Sequence, residues 1–252
     1  METIQTLLSH RTIREYKNQE VPQTVLDDIL AAAVRGSTTG NMQLYSIIVT
    51  RDESMKKQLA PLHFNQKLVT EAPLLLTFCA DFNRFNKWCE YRGVEPVYDN
   101  FLSFNWALID AVIAAQNACI AAEAHGLGIC YLGTTNYTAD KIIDLLNLPK
   151  GVVPITAISV GYPKTMPELT DRLPIEAVVH QETYKDYDKE SIDSLFAEKE
   201  ALPSSKQLLE ENQLESLPQI FVEKRYTKKD NVHFSKVFFE VLKKQGFFNH
   251  EI

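Results

Sequence analysis

The spacing of apolar and polar residues predicts a mixture of helices and strands over the first two-thirds of the chain. Apolar runs of strand length occur at residues 45–50, 73–80, 129–132 and 152–160. Helical spacing of apolar residues occurs at residues 2–9, 24–36, 55–62 and 139–146. Thr24 is the expected N-cap of the second helix. The run at 73–80 is apolar throughout, which is typical of a central strand that is buried on both faces.

The longest apolar stretch, residues 106–122, predicts a long buried helix that follows an irregular, aromatic-rich segment at 83–105. Asp110, Gln116 and Asn117 interrupt this stretch, which favours a core helix over a membrane span. Its large apolar residues surround the helix axis instead of forming one stripe. We therefore expect the helix to be central and buried on all sides.

After Pro174 the pattern changes to charged residues with short helical pieces around Ile192 and Leu208. A final helix has its apolar residues at helical spacing, at Phe234, Val237, Phe238, Val241 and Leu242. This pattern predicts one domain with a core at 1–174, followed by an arm and a terminal helix at 175–252. The arm cannot bury its apolar face alone, so the core or a second subunit must cover it.

Composition narrows the class of protein. The chain has 252 residues, 45% of them hydrophobic, and 26 Lys and Arg against 33 Asp and Glu give a net charge of −7. These values are typical of a folded globular protein, and the acidic balance argues against binding nucleic acid or anionic membranes. The N-terminus lacks a signal-peptide pattern, and four cysteines without a CxxC pair indicate reduced thiols. We therefore expect a cytoplasmic location and no metal site.

Four short segments carry groups that could bind a ligand. Three potentially cationic groups and a hydroxyl fall within five residues, at His10, Arg11, Thr12 and Arg14. Arginine offers a planar fork that fits phosphate oxygens. The other segments are a small polar loop, a strand end that turns into a helix, and a lone arginine, at 37–43, 131–135 and Arg172. Each also fits a plain structural role, such as a solvated basic turn or a β–α turn.

The order and spacing of these segments resemble the FMN-dependent nitroreductase superfamily, in particular its oxygen-insensitive NADPH nitroreductase and NADPH–flavin oxidoreductase branch. Further matching stretches lie at residues 65–67, 78–81, 115–118, 126–128, 161–163, 172–174, 228–230 and 242–246. The resemblance implies an α+β fold, a nitroreductase-like α/β/α sandwich with a mostly antiparallel sheet around a long central helix. It also implies an intertwined homodimer that binds FMN non-covalently, with the C-terminal arm embracing the partner and covering part of the active site.

The resemblance also implies which residues bind the cofactor. They are His10, Arg11, Thr12, Arg14, Ser37, Thr38, Thr39, Gln66, Leu132, Gly133, Thr134 and Arg172. Within this set, residues 10–12 and Arg172 would bind the phosphate and ribityl groups. Arg14 would stabilise the negative charge of the reduced flavin. The hydroxyls of residues 37–39 would reach the cofactor from the other subunit.

Two residues depart from the pattern of this branch. Thr170 stands where a lysine is usual, which removes one positive charge from the phosphate end. Thr134 stands where a second glycine is common, so the turn whose backbone N–H lies near flavin N5 would have a different shape. Both departures put the details of FMN binding in question.

The activity that the resemblance implies is NAD(P)H-dependent reduction of nitroaromatics, quinones or free flavin, by ping-pong hydride transfer through flavin N5. No side chain is expected to act as a catalytic acid or base, because the flavin carries the chemistry. NADPH preference requires a cation for the 2′-phosphate, and a basic cluster before the last helix supplies candidates: Lys224, Arg225, Lys228 and Lys229. Two alternatives stay open: dehalogenation or flavin cleavage, and FMN binding without turnover.

Overall fold

The computed structural model describes residues 3–250, so Glu2, the predicted start of the first helix, lies outside the described residues. The chain divides into two compact units. The first unit extends to Glu168 and includes the stretch from Phe234 onward, and the second unit is Leu169–His233.

A four-stranded antiparallel sheet forms the centre of the first unit. Its strands are β1 (Tyr45–Thr50), β2 (Leu74–Asp81), β3 (Gly128–Leu132) and β4 (Val152–Gly161), in the order β1-β2-β4-β3. Every residue of β2 is buried. The four predicted strands are confirmed, and the continuously apolar run is the central strand that its composition indicated.

The helices of the first unit surround this sheet. They are α1 (Thr3–Leu8), α2 (Gln23–Ala33), α3 (Glu53–Leu59), α4 (Lys67–Glu71), α5 (Asn83–Tyr91), α6 (Phe101–Ala124) and α7 (Ala139–Leu145). Two details of the prediction are wrong. Pro22, not Thr24, is the N-cap of α2, because proline already holds the extended backbone that precedes a helix. The segment expected to be irregular contains α5, whose aromatic residues pack on one another.

Helix α6 packs on the sheet and on α2 through a face of small residues. The side chains on that face are buried alanines, at positions 107, 111, 114, 115, 118 and 122. The expectation that large apolar residues would be buried on all sides is wrong, because Ile109 is 45% and Val112 43% exposed. The helix is long and apolar enough to cross a membrane by length and composition alone, but its alanine face lies in the protein core.

The basic segment at residues 10–16 is fixed along β3. Thr12 forms a parallel bridge with Ile129, and the Ile13 N–H donates to the Ile129 carbonyl at 2.8 Å. The Tyr16 hydroxyl lies 2.8 Å from the Ile13 carbonyl oxygen and 2.7 Å from Ser159 Oγ on β4. The close approach of Ile13 to β3 requires a glycine at the start of the strand, Gly128, because a Cβ there would collide with the Ile13 side chain.

The free cysteines are mostly part of the core. Cys79, Cys119 and Cys130 are buried, and Cys89 is half-buried. Burial raises the pKa of the Cys79 and Cys119 thiols to about 12. The interpretation of these residues as small buried hydrophobes is confirmed for the three that lie in apolar runs.

The second unit is helical. It contains α8 (Lys189–Ala201), α9 (Pro203–Asn212), α10 (Leu217–Gln219) and a π-helical turn at Ile220–Arg225. The predicted helical pieces around Ile192 and Leu208 are therefore confirmed. Exposed apolar side chains are frequent in this unit, at Ile175, Val178, Tyr184, Val222 and Tyr226. The terminal helix α11 (Lys228–Gln245) continues into the first unit, where Val241 and Leu242 are buried.

We predict that Gly128→Ala destabilises the protein, because a Cβ at this position would lie 2.3 Å from Ile13 Cγ1. Overpacking of this kind lowers the free energy of unfolding by about 1–3 kcal/mol. Chemical denaturation measures the loss. The matched control is Gly133→Ala, where no atom lies within 4 Å of an added Cβ, so a near-neutral effect is expected. Equal stability of the Gly128→Ala variant and the wild type would contradict the described packing.

Candidate active site

A cavity of about 760 Å³ lies beside the basic segment in the first unit. Two predicted site residues, Arg14 and Gln66, line it. Its other charged lining residues are Glu15, Lys67, Glu71 and Lys164. Three cationic and two carboxylate groups give the cavity a net charge of 3 − 2 = +1, although the whole chain is acidic. The cavity is therefore suited to a ligand with a negatively charged group.

The first residues of the basic segment face the C-terminal end of α6. His10 Nδ1 lies 2.6 Å from Glu123 Oε1. Burial raises the pKa of the Glu123 carboxyl, and the hydrogen bond with His10 opposes that rise. The Nε of Arg11 is buried and has no hydrogen-bond acceptor among residues 3–250. Because an unpaired buried donor is costly, this N–H is available to an acceptor on a ligand.

The turn after β3 places Leu132, Gly133 and Thr134 next to a second turn. Leu132 is buried, and its carbonyl accepts a hydrogen bond from Thr135 Oγ1 at 2.8 Å. At Gly133 no atom lies within 4 Å of the position that a Cβ would take, so the backbone is open to approach. Gln66 Nε2 donates to Thr134 Oγ1 at 3.4 Å. The structure therefore brings two of the predicted residues, Gln66 and Thr134, into contact.

A third side chain in this contact, His63, was missed by sequence reasoning. Its Nδ1 lies 2.9 Å from Thr134 Oγ1, and the residue is 1% exposed. Burial lowers the pKa of His63 to about 4, so its imidazole is neutral near pH 7. A single histidine between apolar residues carries no sequence pattern that indicates such a role. The two partners are 71 positions apart in the chain, so only the fold reveals the contact.

The polar loop at residues 37–43 is fixed elsewhere along α6. The backbone N–H and the hydroxyl of Thr39 donate to Asp110 Oδ1 at 2.9 and 3.1 Å, and the Leu44 N–H donates to Asp110 Oδ2 at 3.0 Å. The Thr39 hydroxyl is therefore engaged within its own chain. Ser37 and Thr38 are exposed and half-buried, respectively, and none of the three lines the cavity.

The remaining predicted residue, Arg172, belongs to the second unit. Its Nη1 donates to the Asp171 carbonyl at 2.9 Å and to the Thr170 carbonyl at 3.4 Å. Lys199 Nζ lies 2.6 Å from Asp171 Oδ2 and lowers the pKa of that carboxyl. Arg172 also lowers the pKa of Asp171, so two cations, Lys199 and Arg172, act on one carboxylate.

Comparison with known proteins gives consistent matches. The model of the Nitroreductase family matches residues 7–162. An FMN reductase (NADPH) from Bacillus subtilis is 38% identical over 184 residues, which cover 72% of this chain and 74% of that protein. An oxygen-insensitive NADPH nitroreductase from Salmonella typhimurium is 35% identical over 187 residues, or 74% and 76% of the two chains. A crystal structure of a Bacteroides fragilis protein, provisionally assigned as an oxidoreductase, has 51% identity and a TM-score of 0.96 and covers 97% of this chain and 100% of its own.

We predict that His63 makes stability depend on pH below neutrality. The folded-state pKa of about 4 lies below the ordinary histidine pKa of 6.5, so the unfolded chain binds a proton first as the pH falls. The free energy of unfolding is therefore at its full value above pH 6.5 and falls by about 3 kcal/mol as the pH decreases towards 4. Denaturant unfolding of wild type and His63→Asn across this range measures it. Parallel curves for the two proteins would contradict the prediction.

Proposed function

The chain belongs to the nitroreductase family, and we propose that it is an FMN-dependent enzyme that uses NADPH or NADH to reduce nitroaromatics, quinones or free flavin. The names of the Bacillus and Salmonella relatives support the reductase activity. The observation that carries the proposal is the basic segment fixed along β3, in which the buried Nε of Arg11 has no hydrogen-bond acceptor within the described range, 3–250.

The residues of the site fit FMN chemically. A phosphate supplies a charged oxygen acceptor of the kind that the buried Arg11 Nε does not have among residues 3–250. Arg14 and Gln66 line the cavity and offer a cation and an amide to the rest of the cofactor. The open backbone at Gly133 leaves room for a flat ring system. Lys164, which also lines the cavity, supplies a cation in a chain that has Thr170 where this branch usually has lysine.

The side chains of the proposed site bind and orient the cofactor and stabilise its charge. When bound, FMN supplies hydride acceptance from a nicotinamide and electron delivery to an acceptor in separate half-reactions. The positive charge of Arg14 favours the state in which negative charge accumulates at the site. Gln66 and Thr134 orient the ligand, and water supplies protons. Lys224, Arg225, Lys228 and Lys229 are the candidates for the 2′-phosphate of NADPH, in the basic stretch before and at the start of α11.

We also propose that the enzyme is an intertwined cytoplasmic homodimer, with Ser37 and Thr38 reaching the partner's cofactor from a loop that Thr39 anchors at Asp110. The length of helix α6 supports this arrangement. Thr39 is anchored at Asp110 and His10 at Glu123, and these two carboxylates are 13 positions apart, which corresponds to about 20 Å along the helix. A single chain therefore holds the two groups far apart. The exposed Ile109 and Val112 on the same helix provide an apolar surface for a second copy.

For FMN binding, we predict that Arg11→Ala weakens affinity by about 10- to 100-fold, which corresponds to a charge-assisted hydrogen bond of roughly 1.5–3 kcal/mol. Riboflavin, which lacks the phosphate, should bind wild type and variant equally. Flavin fluorescence titration measures both affinities, and Arg92→Ala is the control at an exposed arginine.

The wild type with FMN should oxidise NADPH when menadione or nitrofurazone is added. Failure to bind FMN would overturn the proposal, and binding without turnover would favour a non-catalytic protein.

For the dimer, we predict that Ile109→Glu shifts the protein from dimer to monomer, because a charge would replace an apolar contact at the interface. Sedimentation velocity measures the change. Val94→Glu is the matched control, since Val94 is also exposed and lies outside α6. A wild-type protein that sediments as a monomer would rule out the proposed assembly.

A further inference from the structure

The hydroxyl of Thr134 lies between two polar side chains. Gln66 Nε2 is 3.4 Å from Thr134 Oγ1 on one side, and His63 Nδ1 is 2.9 Å from it on the other. An amide nitrogen only donates, so the hydroxyl accepts from Gln66 and has its own hydrogen left for His63. The resulting series of hydrogen bonds runs from Gln66 Nε2–H to Thr134 Oγ1–H to His63 Nδ1.

Three features hold this chain of hydrogen bonds in place. His63 is 1% exposed, so water does not compete for its ring. The neutral imidazole that burial favours can accept at Nδ1 only when the proton is on Nε2. Thr138 Oγ1 donates to the Leu62 carbonyl at 2.6 Å, which ties the turn of Thr134 to the turn of His63. With the proton on His63 Nε2, the donors and acceptors run in one direction, from the Gln66 amide through Thr134 to His63 Nδ1.

We propose that His63 is a positioning residue that sets the orientation of the Gln66 amide through Thr134. Gln66 Nε2 donates to Thr134, whereas Gln66 Oε1 has no hydrogen-bond partner among residues 3–250 and is free at the cavity that Gln66 lines. The site thereby selects a ligand group that donates a hydrogen bond, a hydroxyl or an imide N–H. The identification of that ligand as FMN rests on the proposed function.

The opposite direction would have the opposite selectivity. If His63 Nδ1 carried the proton, it would donate to Thr134, and the hydroxyl hydrogen would be free to donate to Gln66 Oε1, which would turn the amide nitrogen to the cavity. The site would then select a ligand acceptor, such as a carbonyl. The two directions differ in which ring nitrogen of His63 is protonated, and this is directly measurable.

The first experiment determines that tautomer. Long-range ¹H–¹⁵N correlation spectra of the full chain labelled at histidine, recorded at pH 7 with and without FMN, report each ring nitrogen. The His63 signals are those missing from the His63→Phe variant. We expect the proton on Nε2 and a bare Nδ1. A proton on Nδ1 would overturn the proposal. Because the spectrum without FMN also gives the answer, this result is independent of whether FMN binds.

The second experiment measures FMN affinity. We expect Thr134→Val to weaken FMN binding about five- to tenfold and Thr134→Ser, which keeps the hydroxyl, to bind like the wild type. His63→Phe should have a similar effect to Thr134→Val, and the double variant should be no weaker than either single variant. Equal affinity of Thr134→Val and wild type, or additive losses, would overturn the proposal. Wild type that binds no FMN would instead refute the proposed function.

Discussion

The site depends on the fixation of the segment at residues 10–16 along the edge strand β3. Gly128 lets Ile13 approach β3 more closely than a residue with a side chain at position 128 would permit. The Tyr16 hydroxyl attaches the end of the segment to β4 by its hydrogen bond with Ser159. Because the segment carries Arg11 and Arg14, its register on β3 determines where these two cations lie. A local steric fit between a glycine and an isoleucine thus positions the two arginines that are proposed to face an anionic ligand.

Helix α6 organises the rest of the site through two carboxylates. Asp110 accepts three hydrogen bonds from residues 39 and 44, and Glu123 holds His10. Both acids lie on a helix whose inner face is made of alanines, so the backbone can come close to the sheet and to the loops around it. The long apolar helix is thus the common frame for two loops that are distant in sequence.

Local sequence patterns predicted the four strands, because continuous apolar runs need no tertiary information. They failed where tertiary contacts decide, as at α5, where packed aromatic rings make an apparently irregular segment helical. The prediction that the large apolar residues of α6 would be buried on all sides also failed. On a helix that packs through alanines, the small side chains face the core, and Ile109 and Val112 face outward. For the candidate site, the resemblance predicted Gln66 and Thr134 as cofactor-binding residues, and the structure brings their side chains into contact. Their partner His63, like Asp110 and Glu123, could not be predicted, since each contact joins residues far apart in the chain.

The buried thiols have a consequence for a protein that is proposed to handle quinones. Quinones are electrophiles that alkylate thiolates, and a thiol with a pKa near 12 has almost no thiolate at neutral pH. Cys79 and Cys119 are such thiols, and Cys130 is buried with a raised pKa as well. Because these three sulfurs lie in the core and hold their protons at neutral pH, they are poor targets for the proposed quinone substrates.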